Sequence, residues 1–109
     1  MTLDAALAIG ETVTLGRHTF EADEIKAFAS KYDPQRFHVD EEAAKASVFG
    51  RLCASGWHTA AMWMKHNVAS FPATAERARP RGATLTFGPA AGLRDLKWLK
   101  PVYVGDTIT

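Results

Sequence analysis

From Thr12 to Phe20 the chain runs Thr-Val-Thr-Leu-Gly-Arg-His-Thr-Phe, rich in β-branched residues with an imperfect alternation of apolar and polar positions. That pattern predicts an edge or half-buried strand. The period then changes. Ile25, Phe28, Ala29 and Tyr32 recur at i, i+3, i+4 and i+7, the apolar stripe of a helix. Glu21, Asp23 and Glu24 fall near the positive end of its dipole and Lys31 near the negative end. Pro34 ends this helix, because its ring biases Asp33 out of the α region, so the Asp33 carboxylate sits where a loop begins.

Asp40 is placed to cap a second, short helix from Glu41 to Ala46, with acids first and Lys45 in the last turn; it reads as a flap or spacer. Residues 47–54 show no period. Ser55 can cap a third helix running to about Ser70. Trp57, Ala60, Ala61, Met64 and Val68 share one of its faces while Met62 and Trp63 make the other apolar, a pattern that predicts a helix in the middle of the domain. The prolines, glycine and charges of residues 70–82 predict a mobile exposed loop. Strand patterns resume over 83–87 and 93–104, the latter holding Trp98 and an internal Pro101 that favours a strand end, bulge or edge. Gly105-Asp106 predicts a turn and 107–109 the start of a further strand. No internal repeat or boundary interrupts the chain, so we expect one domain over 1–109, of α+β class, with antiparallel strands enclosing a central helix.

Composition narrows the function. With 109 residues, 47% hydrophobic and 23% charged, the chain is an ordinary globular domain. Thirteen basic against twelve acidic residues give a formal charge of +1, which indicates neither a nucleic-acid surface nor a basic membrane patch. Small molecules or copies of itself are the expected partners. The first residues lack the cationic region of a secretory signal and no apolar run is long enough to span a bilayer, so cytoplasm is the expected location. The single cysteine, Cys53, excludes an internal disulfide and a thiolate metal cluster, and nothing local marks it as a nucleophile.

The chemistry concentrates between Tyr32 and Met64. Asp33 and His38, separated by four residues, lie upstream of Gly56, which opens the long helix. An aspartate and a histidine can move protons, and a backbone N–H at a helix start can steady a developing oxyanion. Each residue also has a plainer reading. Asp33 could only close a turn before Pro34, His38 could be a hydrogen-bonded structural histidine, and Gly56 could only permit close packing. His58, inside the helix, reads as a packing or capping residue.

The run Tyr32-Asp33-Pro34-Gln35-Arg36-Phe37-His38-Val39-Asp40, the later Phe49-Gly50 and Ser55-Gly56, and the block from Trp98 to Thr107 resemble the MaoC-like dehydratases, or (R)-specific enoyl-CoA hydratases. The resemblance extends from about Gly10 to the last residue. It implies the hotdog fold, an antiparallel sheet wrapped around a central helix, and because family members continue with further strands past the Gly-Asp turn, it implies that the C-terminal strands are missing here. Their loss would expose one side of the central helix. It also implies a lyase of acyl-CoA and fatty acid metabolism that adds water reversibly to a trans-2-enoyl-CoA, giving a 3-hydroxyacyl-CoA. In that reading Asp33 and His38 are catalytic, one taking a proton from water and the other delivering one to the α-carbon. Gly56 offers its N–H to the thioester oxygen, and Phe37, Phe49 and Trp57 bind substrate. No metal or redox cofactor is expected, coenzyme A being part of the substrate, and the protein should be a homodimer or higher homo-oligomer.

Two positions depart from the family pattern. Ser55 stands where many relatives have histidine, and Met64 where some hydratases carry a serine. Arg77, Arg79 and Arg81 could meet coenzyme A phosphates or simply be solvated. A thioesterase on the same fold and a non-catalytic acyl-binding or dimerisation domain are the rival functions. A metal held by Asp33, His38 and Asp40 is possible by ligand type and poor by count.

Overall fold

The computed structural model describes residues 10–82 and 84–109. In chain order these form strand β1 (His18–Thr19), helices α1 (Ala22–Tyr32), α2 (Arg36–Val39), α3 (Glu41–Lys45), α4 (Gly56–Ala69) and α5 (Phe71–Ala78), a 3-10 turn at Arg79–Arg81, and strand β2 (Thr107–Ile108). The α+β class is the one expected, with the helices carrying most of the ordered structure.

The three expected helices form where their local signals lie. Glu24 accepts a hydrogen bond from the Glu21 backbone N–H at 2.9 Å, closing the first turn of α1. Asp40 caps α3 by accepting from the N–H groups of Glu42 and Ala43, and the Ser55 hydroxyl caps α4 by accepting from that of Trp57. Such a cap contributes about 1 kcal/mol.

Two further helices correct the sequence reading. Residues 36–39, within the expected loop, wind into the single turn of α2, which buries His38. Residues 71–78 are a helix rather than a mobile loop. Pro72 sits in its first turn, where a missing N–H costs nothing, and the alanines behind it favour helix.

The expected strands are much shorter than their patterns. Of Thr12–Phe20, only His18–Thr19 is strand, paired antiparallel with β2 in the register His18 to Ile108 and Thr19 to Thr107. Residues 84–87 and 93–101 form no strand, and Ala83, the first position of the expected 83–87 strand, lies outside the described residues. A strand needs a neighbour for its hydrogen bonds, and only residues 102–104 have one: Ala54 N–H donates to Val102 O (2.8 Å) and Val104 N–H to Leu52 O (3.0 Å). The turn at Gly105 forms as expected, with the glycine at φ +86.

These pairings bring distant segments around one core of Phe20, Ile25, Ala44, Leu52 and Ala54, flanked by Phe37, Met62, Val102, Val104 and Ile108. The long helix α4 is less enclosed than its sequence predicts. His58 is its one buried residue, while Trp57, Trp63, Met64 and Val68 are exposed, because no strand among the described residues covers its outer face. The radius of gyration, 17.4 Å, exceeds the roughly 13 Å of a compact domain of this length, in keeping with that open face.

Candidate active site

Pro34 turns the chain after α1, and the one-turn helix α2 carries His38 back beneath Asp33. The Nε2 of His38 lies 3.4 Å from Asp33 Oδ2. His38 is 6% exposed, and its Nδ1 donates to the carbonyl oxygen of Cys53 at 2.7 Å. A carbonyl can only accept, so that bond places a proton on Nδ1 and leaves Nε2 as the nitrogen that gains and loses one.

Asp33 is held by more than the histidine. Ser55, fully buried, donates its hydroxyl to Oδ2 at 2.7 Å, and the Gln35 amide donates to Oδ1 at 2.8 Å. Desolvation alone would raise the Asp33 pKa, but the hydrogen bonds from Ser55 and Gln35, together with the charge of His38, outweigh it, so the carboxyl lies below its ordinary value. It is therefore ionised at neutral pH.

Ser55 joins this pair to the long helix. Its oxygen accepts from Trp57 N–H (3.2 Å) while its hydrogen goes to Asp33. Gly56, the first residue of α4, has an N–H with no intrahelical carbonyl to bond to. Asp33, His38 and Gly56 line one cavity of about 740 Å³. Phe37, Phe49 and Trp57, the expected substrate-binding residues, line it too, and the rings of Phe37 and Phe49 pack at 4.8 Å. An apolar cleft with a few convergent polar groups suits a small organic ligand.

Sequence reasoning missed a second wall. Lys97, Trp98, Leu99 and Lys100 line the same cavity as the Asp33–His38 pair. The Trp98 indole N–H donates to Gly56 O at 2.7 Å, and a Cβ on Gly56 would meet the indole at 2.5–2.7 Å. The close approach that requires glycine at position 56 is thus the approach of Trp98. Ser55 and Gln35 were missed as well; for Gln35, its place two residues after Asp33 was the available signal.

Other candidates are engaged elsewhere or lie outside the cavity, except Cys53, which lines it. Asp40 spends its carboxylate on the α3 cap, so no Asp33–His38–Asp40 metal trio assembles. Met64 does not line the cavity, and neither do the three arginines, of which Arg79 pairs with Glu76 at 2.8 Å. Cys53 is buried 3.7 Å from His38 Nδ1, and burial pushes its thiol pKa up, away from nucleophilic character. His58 packs face to face on Phe28 at 4.6 Å, as a packing residue should.

Comparison with known proteins agrees with the geometry. The profile of the MaoC-like domain matches residues 4–109. The crystal structure of a MaoC-like dehydratase from Rhodospirillum rubrum superposes with a TM-score of 0.63 at 43% identity, over 84% of this chain and 56% of that one. That likeness places the fold in the hotdog type. A Bacillus subtilis (strain 168) protein, YdeM, described as uncharacterized, is 38% identical over 65 residues, 60% of this chain and 45% of its own length. The chain thus spans about half the length of the relatives it matches.

Proposed function

Because the chain belongs to the MaoC-like dehydratase family, we propose that it is a hydratase or dehydratase of acyl thioesters, adding water across a trans-2-enoyl-CoA to give a 3-hydroxyacyl-CoA. The observation that carries this reading is the meeting of Asp33, His38 and the Gly56 helix start around one apolar cavity.

Hydration needs three things of the protein. Water must lose a proton as its oxygen bonds to the β-carbon, the electron pair of the double bond must move toward the thioester oxygen, and the α-carbon must then gain a proton. His38 is suited to both proton steps, since its Nδ1–H is fixed on Cys53 O and its Nε2 is the nitrogen on the Asp33 side. Asp33, tied by Ser55 and Gln35 and held ionised, is a weak base. Its role is to orient the water and to stabilise the imidazolium between the two transfers. The Gly56 N–H faces the charge on the thioester oxygen; one such donor contributes about 3–4 kcal/mol. Phe37, Phe49 and Trp57 hold the acyl chain out of water, which strengthens each of these interactions. No metal or redox group enters these steps. We further propose that the active species is a homodimer or larger homo-oligomer located in the cytoplasm; among the described residues no helix is long and apolar enough to cross a membrane.

The test is the absorbance of trans-2-butenoyl-CoA, which should fall as the double bond is hydrated without release of free thiol. His38→Ala and Asp33→Asn should each slow this by about 10²–10⁴-fold while the fold persists. Release of thiol would instead make the protein a thioesterase, and near-normal hydration by either variant would end the assignment.

A further inference from the structure

We infer that His18, Glu24 and His58, on the side of α1 and α4 away from the candidate cavity, form a binding site for one divalent ion of the zinc class. His18 comes from β1, Glu24 from the first turn of α1 and His58 from the first turn of α4. Each offers a ligand atom, and the three atoms lie within 4.8 Å of one another. His18 Nε2 is 3.0 Å from both Glu24 oxygens, and His58 Nε2 is 3.7 Å from Oε2. Neighbouring ligand atoms of a tetrahedral zinc ion stand about 3.4 Å apart at the usual 2.0–2.1 Å bond lengths. Two of the three separations are therefore near what the ion requires, and the third is at most 4.8 Å.

The surroundings favour a ligand. His58 is 2% exposed, its Nδ1 has no hydrogen-bond partner and its Nε2 stands beyond hydrogen-bond reach of Glu24, an unfavourable state for a buried imidazole. An ion between the two would give Nε2 a partner. Glu24 Oε1 is already oriented by the Glu21 N–H, the outer support that a ligating carboxylate needs, and the His58 ring is held by Phe28 on its face and Phe20 at its edge. His18 and Glu24 are partly exposed, which gives the ion a path in. Two imidazoles and one carboxylate select zinc and its transition-metal neighbours over magnesium or calcium, which prefer all-oxygen sites. The ion would join β1, α1 and α4, and so fix the helix start two residues before His58.

Titration with Zn²⁺ by calorimetry, and with Co²⁺ by visible absorption, tests this without reference to activity. We expect one equivalent per chain, cobalt bands of a four-coordinate nitrogen and oxygen site, and a higher Tm with Zn²⁺. His58→Phe keeps the stacking on Phe28 and removes the ligand; Glu24→Gln removes the charge and keeps the shape, and carries the test if the first variant fails to fold. Each should weaken binding by more than about 10-fold, the lower end of what loss of an outer support alone costs. Asp33→Asn and His66→Gln should leave it unchanged. No uptake of Zn²⁺ in excess over protein, or uptake that follows Asp33 or His66 instead, would overturn the site.

Discussion

The two walls of the candidate cavity are built differently. The wall holding Asp33, His38, Ser55 and Gly56 rests on helices and a shared core, with Ser55 fully buried and the side chains of Asp33, His38 and Ser55 each hydrogen-bonded to a neighbour. The other wall, Lys97 to Lys100, lies in a stretch without strand or helix, where Leu99 is 90% exposed and Trp98 half exposed. Among the described residues, its hold on the first wall is the hydrogen bond from Trp98 to Gly56 O and the edge contact of Trp98 with Trp57 at 5.0 Å. The titratable pair is set on the rigid side, and the other side is free to differ in shape. A proton-transfer pair loses its function with an ångström of drift, whereas an apolar wall only has to exclude water.

Substitutions on the two sides should separate accordingly. The largest effect on stability is expected for Phe20→Ala. Phe20 is fully buried at the centre of the rigid side, and its removal should cost about 3–5 kcal/mol in denaturant unfolding. Gly56→Ala strikes the junction. The new Cβ must displace the Trp98 indole, so the protein should lose about 1–3 kcal/mol and the indole N–H resonance of Trp98 should shift toward its solvent position in NMR spectra. An unchanged resonance would show that the two walls do not touch in solution.

Ser55→Ala sharpens the electrostatic half of the comparison. It removes one of the hydrogen bonds that lower the Asp33 pKa and leaves the desolvation that raises it, so the pKa should rise. In the parent protein the lowered pKa means that Asp33 contributes stability above the ordinary carboxylate range, lost as the pH falls through the folded value. In the variant that contribution should be smaller, and any acid-side fall in hydration should begin at higher pH, as a pH series of unfolding and rate would report. The smallest effect is expected for Leu99→Ala on the loose side, within about 0.5 kcal/mol of the parent in stability, as for exposed positions generally.

Much of the rigid side was legible in the sequence, and little of the loose side was. The helices at 22–32, 41–45 and 56–69 announce themselves through Pro34, Asp40, Ser55 and apolar spacing, all of which act over four residues or fewer. The helix at 71–78 was misread because Pro72 reads as a breaker when its place in the first turn makes it a starter. The strands expected over 83–87 and 93–104 were misread at 84–87 and 93–101 for another reason. Alternating apolar residues qualify a segment to be a strand, but only a partner supplies its hydrogen bonds, and the partner is not encoded locally.

The sequence by itself determined which residues are candidates for the chemistry, because Asp33 before a proline, His38 with four residues between them and a capped glycine at 56 are local facts. Only the tertiary structure decided that Ser55 would cap α4 with its oxygen and hold Asp33 with its proton, that Trp98 would lie on Gly56, and that His18, Glu24 and His58 would gather on the far side. Each of these contacts joins segments many residues apart. It exists because burial of Phe20, Ile25 and Leu52 in one core brings those segments together, a free energy that belongs to the whole chain and to no short stretch of it.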